Sequence, residues 1–423
     1  MLTAFLLAIF FLIILRAPIF VALGAPAMAY LALKGIPFGL APQRIIGTVN
    51  NSILIAVPMF LLAGRLMNLI GATERIFNFA NAIIGHVRGG LGYVSVIASF
   101  IFSAMSGSAA ADAVGVGTMT VKAMRERGYD PNFAAAVTLS SATLAPVVPP
   151  SIIMIIYGAT ANVSIGALFI GGILPGVLIA TGLMLAVGIL SWKRGYPKGP
   201  SPTLARLWVT FKDAFFVLLT PIFIIGGIFG GIFTPTEAGV IAVVYVLALG
   251  LFYRTLKFDA LVSEFVIAGT SVGVLLLIVA ISGLDGWVIT FEQAPAKLAA
   301  VVTGLVTDPT LIMIIILLMV LALGTFLDAT PIILMVVPAV MPLVAALGID
   351  PIHFGVLFAI TCVIGLITPP VGVALYGVAM VARLSIEQVF WATLPFFLAL
   401  LLAIGILVAV PEIVTFLPSL SGR

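Results

Sequence analysis

Gly128-Tyr129-Asp130-Pro131 recurs as Gly348-Ile349-Asp350-Pro351, a shift of 220 residues. The same shift carries Pro149-Pro150 onto Pro369-Pro370 and Leu174-Pro175 onto Leu394-Pro395, and Tyr157-Gly158 meets Tyr376-Gly377 at a shift of 219. Four matches in nearly one register divide the chain into two repeats, about 1–197 and 213–417, joined by 198–212. Of 423 residues, 63% are hydrophobic and 8% charged, with a mean hydropathy of +1.33. A soluble domain carries roughly 25% charged residues, so this chain lacks the polar surface of a water-soluble body. The net charge of +4 and pI near 9.3 rest on too few charges to point to nucleic acid. The single cysteine, Cys362, excludes a disulfide framework, a cysteine zinc site and a Cys-x-x-Cys redox pair.

Runs long enough to cross a bilayer, which takes about 20 apolar residues, lie near 2–15, 18–33, 52–70, 165–191, 213–233, 236–253, 261–283 and 389–417. The first is short. With no basic stretch before it and Arg16-Ala17-Pro18 after it, it does not read as a cleaved leader. None alternates with the period of a barrel strand. Four further apolar regions are interrupted. Residues 93–122 break at Ser106-Gly107-Ser108 and 309–347 at Asp328-Ala329-Thr330-Pro331, while 132–161 and 353–382 break at their proline pairs. A proline pair removes two backbone donors and pushes the preceding residue out of the helix. In lipid the freed carbonyls need partners, so such breaks persist only inside protein or beside a cavity. The expected fold is an all-α polytopic membrane protein of two repeats, each with a re-entrant hairpin and a broken helix. Amphipathic stretches near 72–88 and 286–305 read as membrane-surface arms beside the hairpins.

Charge placement orients the repeats. The base of the first hairpin and the segment before it carry Arg75, Arg88, Lys122, Arg125 and Arg127. The equivalent stretches of the second repeat carry only Lys297, against Asp285, Glu292, Asp308 and Asp350. By the positive-inside rule the two sets face opposite sides. The basic connection, with Lys193, Arg194, Lys198, Arg206 and Lys212, joins the cytoplasmic set, whereas Lys34 and Arg44 fall outside. The repeats are therefore expected to be inverted.

Inverted repeats with discontinuous helices characterise secondary transporters, whose sites lie at the breaks near the membrane midplane. Ser108 and Thr330 are N-cap candidates, and Pro331 suits a first helical position. Half-helix N-termini offer dipoles to an anion; unwound carbonyls and hydroxyls offer oxygen ligands to a small cation. No Lys or Arg sits at any of the four breaks. Asp112 and Asp328 are the carboxylates expected at membrane depth, where an unpaired charge is costly. Asp328 has three roles open to it: capping the next helix, holding a hydroxyl or ligating Na⁺. Asp112, one turn into its helix, has a structural reading as strong as a direct one. The competing view of Ser103 to Asp112 is a small-residue packing surface. His86 and His353 read as structural. An intramembrane aspartyl protease lacks its Gly-x-Gly-Asp motif, since Ala109-Ala110-Ala111 precedes Asp112 and Thr325-Phe326-Leu327 precedes Asp328. A serine intramembrane protease lacks the leading glycine at Met105-Ser106-Gly107.

Ser106-Gly107-Ser108-Ala109, Phe233-Thr234-Pro235-Thr236-Glu237-Ala238, Gly348 to Gly355 and Thr368-Pro369-Pro370-Val371-Gly372 resemble the large membrane subunit of tripartite ATP-independent periplasmic (TRAP) transporters. The resemblance spans essentially the whole chain. It implies an elevator fold of the wider ion-transporter superfamily, in a multi-pass subunit of the bacterial inner membrane. It also implies Na⁺ symport of an organic acid, a small four-helix membrane partner and a soluble periplasmic substrate-binding protein. Carried over, the family's Na⁺ sites fall on Ser103, Ser106, Gly107, Ser108, Ser141, Thr143 and Pro149, and on Thr325, Asp328, Thr330, Thr361, Gly365, Thr368 and Pro369, with two or more ions expected. Substrate contacts fall on Ser108, Asp112, Pro150, Ser151, Thr330 and Pro370. Asp112 departs from the pattern of dicarboxylate-type relatives, which favours a sugar acid such as sialic acid. A stand-alone carrier of the same superfamily is the nearest alternative; a passive channel has no need of two opposed hairpins.

Overall fold

The computed structural model describes residues 1–15, 17–297, 304 and 308–420. Its named elements are helices, in the order α1 (Leu2–Ile14), α2 (Ile19–Lys34), α3 (Leu40–Val49), a 3₁₀ turn (Ser52–Ile55), α4 (Ala56–Leu69), α5 (Ala72–Ile84), α6 (Gly90–Ser106), α7 (Ala109–Glu126), α8 (Pro131–Ala142), α9 (Ile152–Ala161) and α10 (Ile165–Lys193). They continue with α11 (Leu204–Phe229), α12 (Pro235–Phe252), α13 (Phe258–Phe291), α14 (Pro309–Gly324), α15 (Ala329–Ala346), α16 (Pro351–Leu366), α17 (Val373–Ala382), α18 (Ile386–Ala409) and α19 (Glu412–Leu420). Seven helical segments among the described residues are long and apolar enough to cross a membrane. Hairpin 1 is α6 and α7, and hairpin 2 is α14 and α15. The broken helices are α8 with α9 and α16 with α17.

The recurring Gly-x-Asp-Pro motif is a stop signal followed by a start signal. Gly128 and Gly348 adopt φ of +77° and +65°. Beyond them, Tyr129 N–H reaches the Met124 carbonyl at 3.0 Å and Ile349 N–H the Val344 carbonyl at 3.1 Å, the six-to-one bond that closes a helix C-terminus. Asp130 then caps α8 by accepting from Asn132 N–H, and Asp350 caps α16 by accepting from Ile352 and His353 N–H. Pro131 and Pro351 occupy the first turn, where their missing donors cost nothing. Each motif thus turns the chain from a hairpin base directly into a broken helix.

α8 and α16 are buried on every face and occupy the centre, with Phe133 to Ala142 and His353 to Leu366 buried throughout. Around them the halves interlock: α7 packs on α17, and α15 packs on α9. α10 and α18 close this hairpin bundle, and α2, α3, α4, α12 and α13 form a frame beside it. The bundle meets the frame chiefly through α15 on α13 and α6 on α4. α5 lies against α11 and α6.

Polar contacts group the helix ends into two faces. On one, Arg75 pairs with Asp213 at 3.1 Å and stacks over the Tyr253 ring at 3.9 Å, and Arg194 pairs with Asp130 at 2.6 Å. On the other, Glu292 takes a 2.5 Å hydrogen bond from the Tyr30 hydroxyl and pairs with Lys34 at 3.3 Å. That bond, together with the lysines, holds the Glu292 carboxyl below the usual carboxylate range.

Several expectations need correction. The run at 389–417 is two helices, because Pro411 cannot donate to the Leu407 carbonyl and α18 ends at Ala409. His353 Nε2 supplies the missing partner to that carbonyl at 2.9 Å. His353→Ala is therefore expected to lower stability by about 1–3 kcal/mol through an unsatisfied buried carbonyl, read as a drop in the denaturation midpoint. Asp285, counted with the loop charges, is fully buried inside α13, which runs on to Phe291. Residues 286–291 are therefore the end of a membrane helix rather than an arm. The rest of that stretch is helical at 294–297, and residues 298–303 and 305 lie outside the described residues. The amphipathic α3 was not anticipated; its short length and Gly47 hid it among loop residues.

Candidate functional site

Hairpin 1 turns over at Gly107, whose φ of +59° suits glycine. A Cβ there would lie 2.5 Å from the Pro150 carbonyl oxygen, so the tip rests directly on the first proline pair. From the frame, Gly64 of α4 approaches so closely that its Cβ would lie 2.9 Å from Ser106 Cα. Ser108 caps α7 as expected, accepting from Ala111 N–H at 3.4 Å. Ser103 and Ser106 are buried, and their hydroxyls have no hydrogen-bond partner among the described residues. The helix break opposite is longer than the proline pair and occupies 143–151. Thr143 donates to the Ser140 carbonyl at 2.6 Å and Ser141 to Val137 at 2.7 Å. Ser151 donates to the Pro146 carbonyl at 2.6 Å and caps α9 through Met154 N–H at 3.2 Å. Pro149–Pro150 and Pro369–Pro370 are both cis.

Hairpin 2 makes the matching contact differently. The Thr325 carbonyl accepts from Val371 N–H at 3.1 Å and Gly372 N–H at 3.2 Å, tying its tip to the second break. Gly324 and Gly365 cross backbone to backbone; a Cβ on Gly365 would lie 2.5 Å from Gly324 Cα. Thr325, Thr361 and Thr368 each donate to a carbonyl three or four residues back, at 2.7–2.8 Å. Asp328, rather than Thr330, caps α15, accepting from Ala329 N–H at 2.9 Å. Thr330 is the second helical residue and Pro331 the third, because the carboxylate satisfies the first free donor and starts the helix two residues earlier. Thr330 is buried.

The tips differ in access. Around the first, Ser103 to Gly107 and Ser140 to Tyr157 are buried. Around the second, Asp328 and Pro370 are exposed, as are Val373, Tyr376 and Met380 on one side of α17. That side leads toward the face where Arg125 meets the Ala382 carbonyl at 3.5 Å.

Asp112 is in neither tip. It lies inside hairpin 1 beside Ser99 of α6, 1% exposed, and its carboxylate has no hydrogen bond of regular geometry among the described residues. Ser95, Ser99, Ser103 and Ser106 form one stripe of α6. Gly64 and Gly324, which set the helix contacts at the two tips, were not singled out from the sequence. Their signal was an isolated glycine within an apolar helix.

Hydroxyl chemistry limits what these breaks attract. A hydroxyl that donates its proton to a helix carbonyl keeps only lone pairs to present. Ser141, Thr143, Thr325, Thr361 and Thr368 are all in that state. With the unwound carbonyls they make an all-oxygen acceptor set, the kind hard cations take. Donors for an anion are the unpartnered hydroxyls of Ser103 and Ser106 and the helix N-termini, of which α17, preceded by Gly372, has no side-chain cap.

Residues 6–413 match the family model for the tripartite ATP-independent periplasmic transporter, DctM component. The chain belongs to this family. It is 40% identical to the sialic acid TRAP transporter large permease protein SiaM of Vibrio cholerae, covering 93% of each chain. It is 41% identical to the sialic acid TRAP transporter permease protein SiaT of Haemophilus influenzae, over 90% of this chain and 62% of that one. Identity is 35% to the C4-dicarboxylate TRAP transporter large permease protein DctM of Pseudomonas aeruginosa, over 90% and 89% of the two chains. Among solved structures, the YdaH transporter of Alcanivorax borkumensis shares the fold, with a TM-score of 0.64, 14% identity and 86% of each chain covered. This TRAP large permease is a multi-pass transport subunit and not an enzyme, which removes the protease readings.

Proposed function

We propose that this permease imports an organic acid of the sialic acid type by Na⁺ symport across the bacterial inner membrane. The hairpin bundle moves against the frame, and a periplasmic binding protein delivers the substrate. The observation that carries the reading is the pair of oxygen-only breaks, each pressed against a hairpin tip by glycine contacts. One cation site would use Ser103, Ser106, Gly107, Ser108, Ser141, Thr143 and Pro149. The other would use Thr325, Asp328, Thr330, Thr361, Gly365, Thr368 and Pro369. Between them, Ser108, Pro150, Ser151, Thr330 and Pro370 would face substrate. Asp112, from its place inside hairpin 1, would act on the first site through its serines rather than touch the substrate.

Energetics support coupling to a cation. A monoanion entering a cell at 100 mV, negative inside, is opposed by about 2.3 kcal/mol. Two Na⁺ moving with it make the load net positive, so the same potential drives entry. With no Lys or Arg at the breaks, bound cations also balance the substrate's charge. One closed tip and one open tip is the asymmetry expected of alternating access, with the open side facing the cytoplasm in the inverted-repeat arrangement. The sialic acid relatives support the substrate class. SiaT and the isethionate permease DctMQ of Oleidesulfovibrio alaskensis are longer than the match, which covers 62% and 64% of them; this fits a small membrane module fused in those proteins.

Reconstituted vesicles containing the permease and its small partner test the proposal. Uptake of sialic acid is expected only with both an inward Na⁺ gradient and the binding protein, and succinate is expected to be ignored. Uptake without Na⁺ would overturn the coupling. Uptake without the binding protein would move the chain to the stand-alone class.

A further inference from the structure

Frame and hairpin bundle do not close completely against each other on the face that carries Glu292. Between α13 and α15 lies an open groove of about 530 Å³, headed by Arg44 and walled by Trp287, Phe291 and Pro338. It shares Gly283, Gly286 and Pro338 with a deeper chamber of about 140 Å³. The chamber is walled by Leu54, Ile156, Val279 and Leu334, with the polar Thr48, Asn51, Thr160 and Ser282 also on its lining. We propose that this groove and chamber hold one anionic phospholipid, its phosphate on Arg44 and one acyl chain threaded between frame and hairpin 2.

Three features select this occupant. Arg44 is exposed and has no ion pair among the described residues, and its guanidinium fork matches a phosphate. Trp287 and Phe291 stack with centroids 4.8 Å apart beside it, at the level where aromatic rings mark a membrane interface. Depth fits as well. From Phe291 down to Val279 the helix descends about 18 Å at 1.5 Å per residue, close to the roughly 15 Å of one leaflet's hydrocarbon. A free small anion would occupy only the mouth and leave the mostly apolar chamber empty.

Gly286 allows a direct test. A Cβ at this position meets nothing within 4 Å and Gly286 lines both spaces, so Gly286→Leu projects into the volume the lipid would fill. The detergent-purified permease would be titrated with short-chain phosphatidylglycerol, phosphatidylcholine or inorganic phosphate, following bound lipid by native mass spectrometry and the melting temperature. Wild type is expected to prefer phosphatidylglycerol by about tenfold, because both lipids offer Arg44 a phosphate but the choline cation is repelled by the arginine. Arg44→Gln should bind both lipids alike, and Gly286→Leu should lose both while melting normally without lipid. A shift with phosphate equal to that with phosphatidylglycerol would overturn the lipid assignment. So would unchanged lipid binding in Gly286→Leu, or a retained preference in Arg44→Gln. The binding result does not depend on Na⁺ coupling. Only its consequence, a lipid chain setting the gap across which hairpin 2 moves, rests on the proposed function.

Discussion

Gly365→Ala is expected to reduce transport by at least about tenfold while leaving the protein in the membrane. The added methyl would lie 2.5 Å from Gly324 Cα, 2.7 Å from Gly324 carbonyl carbon and 3.1 Å from the Leu321 carbonyl oxygen. All three are backbone atoms, so no rotamer change relieves the clash, and hairpin 2 must move off α16. Overpacking of this kind costs about 1–3 kcal/mol, and 1.4 kcal/mol is a factor of ten in any equilibrium the contact controls. Thr325, one residue beyond Gly324, ties the tip to Val371 and Gly372, so the displacement reaches the second break directly. Gly405→Ala is the control. It sits in α18 with nothing within 4 Å of the new methyl, and a glycine-to-alanine change in a helix stabilises by roughly 0.5–1 kcal/mol. If Gly365→Ala transports as Gly405→Ala does, the glycine crossing does not position the site.

Gly-x-Asp-Pro was legible because each residue acts locally: glycine ends a helix, aspartate caps the next, proline begins it. The proline pairs were legible for the same reason, since two missing donors interrupt a helix wherever it packs. The cap of α15 stayed open between Asp328 and Thr330 because both are competent caps, and only the carboxylate's fit to Ala329 N–H decides between them. Asp285 misled the topology argument because a charge near an apolar run's end resembles a loop residue until α13 is seen to extend to Phe291. Gly64 and Gly324 stayed hidden for a different reason. Their importance lies in what crosses them, Ser106 and Gly365, and a crossing between distant segments leaves no mark on local sequence. Site chemistry was readable as oxygen-rich. That the hydroxyl protons of Ser141, Thr143, Thr325, Thr361 and Thr368 are consumed by helix carbonyls required the geometry.

Asp328→Asn is expected to remove most of the Na⁺-dependent stabilisation of the purified permease while retaining its fold. Asparagine caps a helix about as well as aspartate, so the bond to Ala329 N–H survives and only the charge is lost. Thermal unfolding would be followed as Na⁺ replaces choline at fixed ionic strength. For wild type, Na⁺ at 100 times its dissociation constant should stabilise by about 2.7 kcal/mol, with no comparable effect from K⁺. Asp350→Asn supplies the comparison, since Asp350 is also an N-cap, placed at the start of α16 rather than at a tip. Its Na⁺ response should match wild type. A full Na⁺ shift in Asp328→Asn would leave that carboxylate as a helix cap and assign the second cation to carbonyls and hydroxyls alone. A shift lost equally in both variants would mean that net charge, not the tip, governs the response. No shift in wild type, with the small partner present, would refute Na⁺ coupling itself, because a cation that stabilises nothing it binds cannot carry the substrate's charge across the membrane.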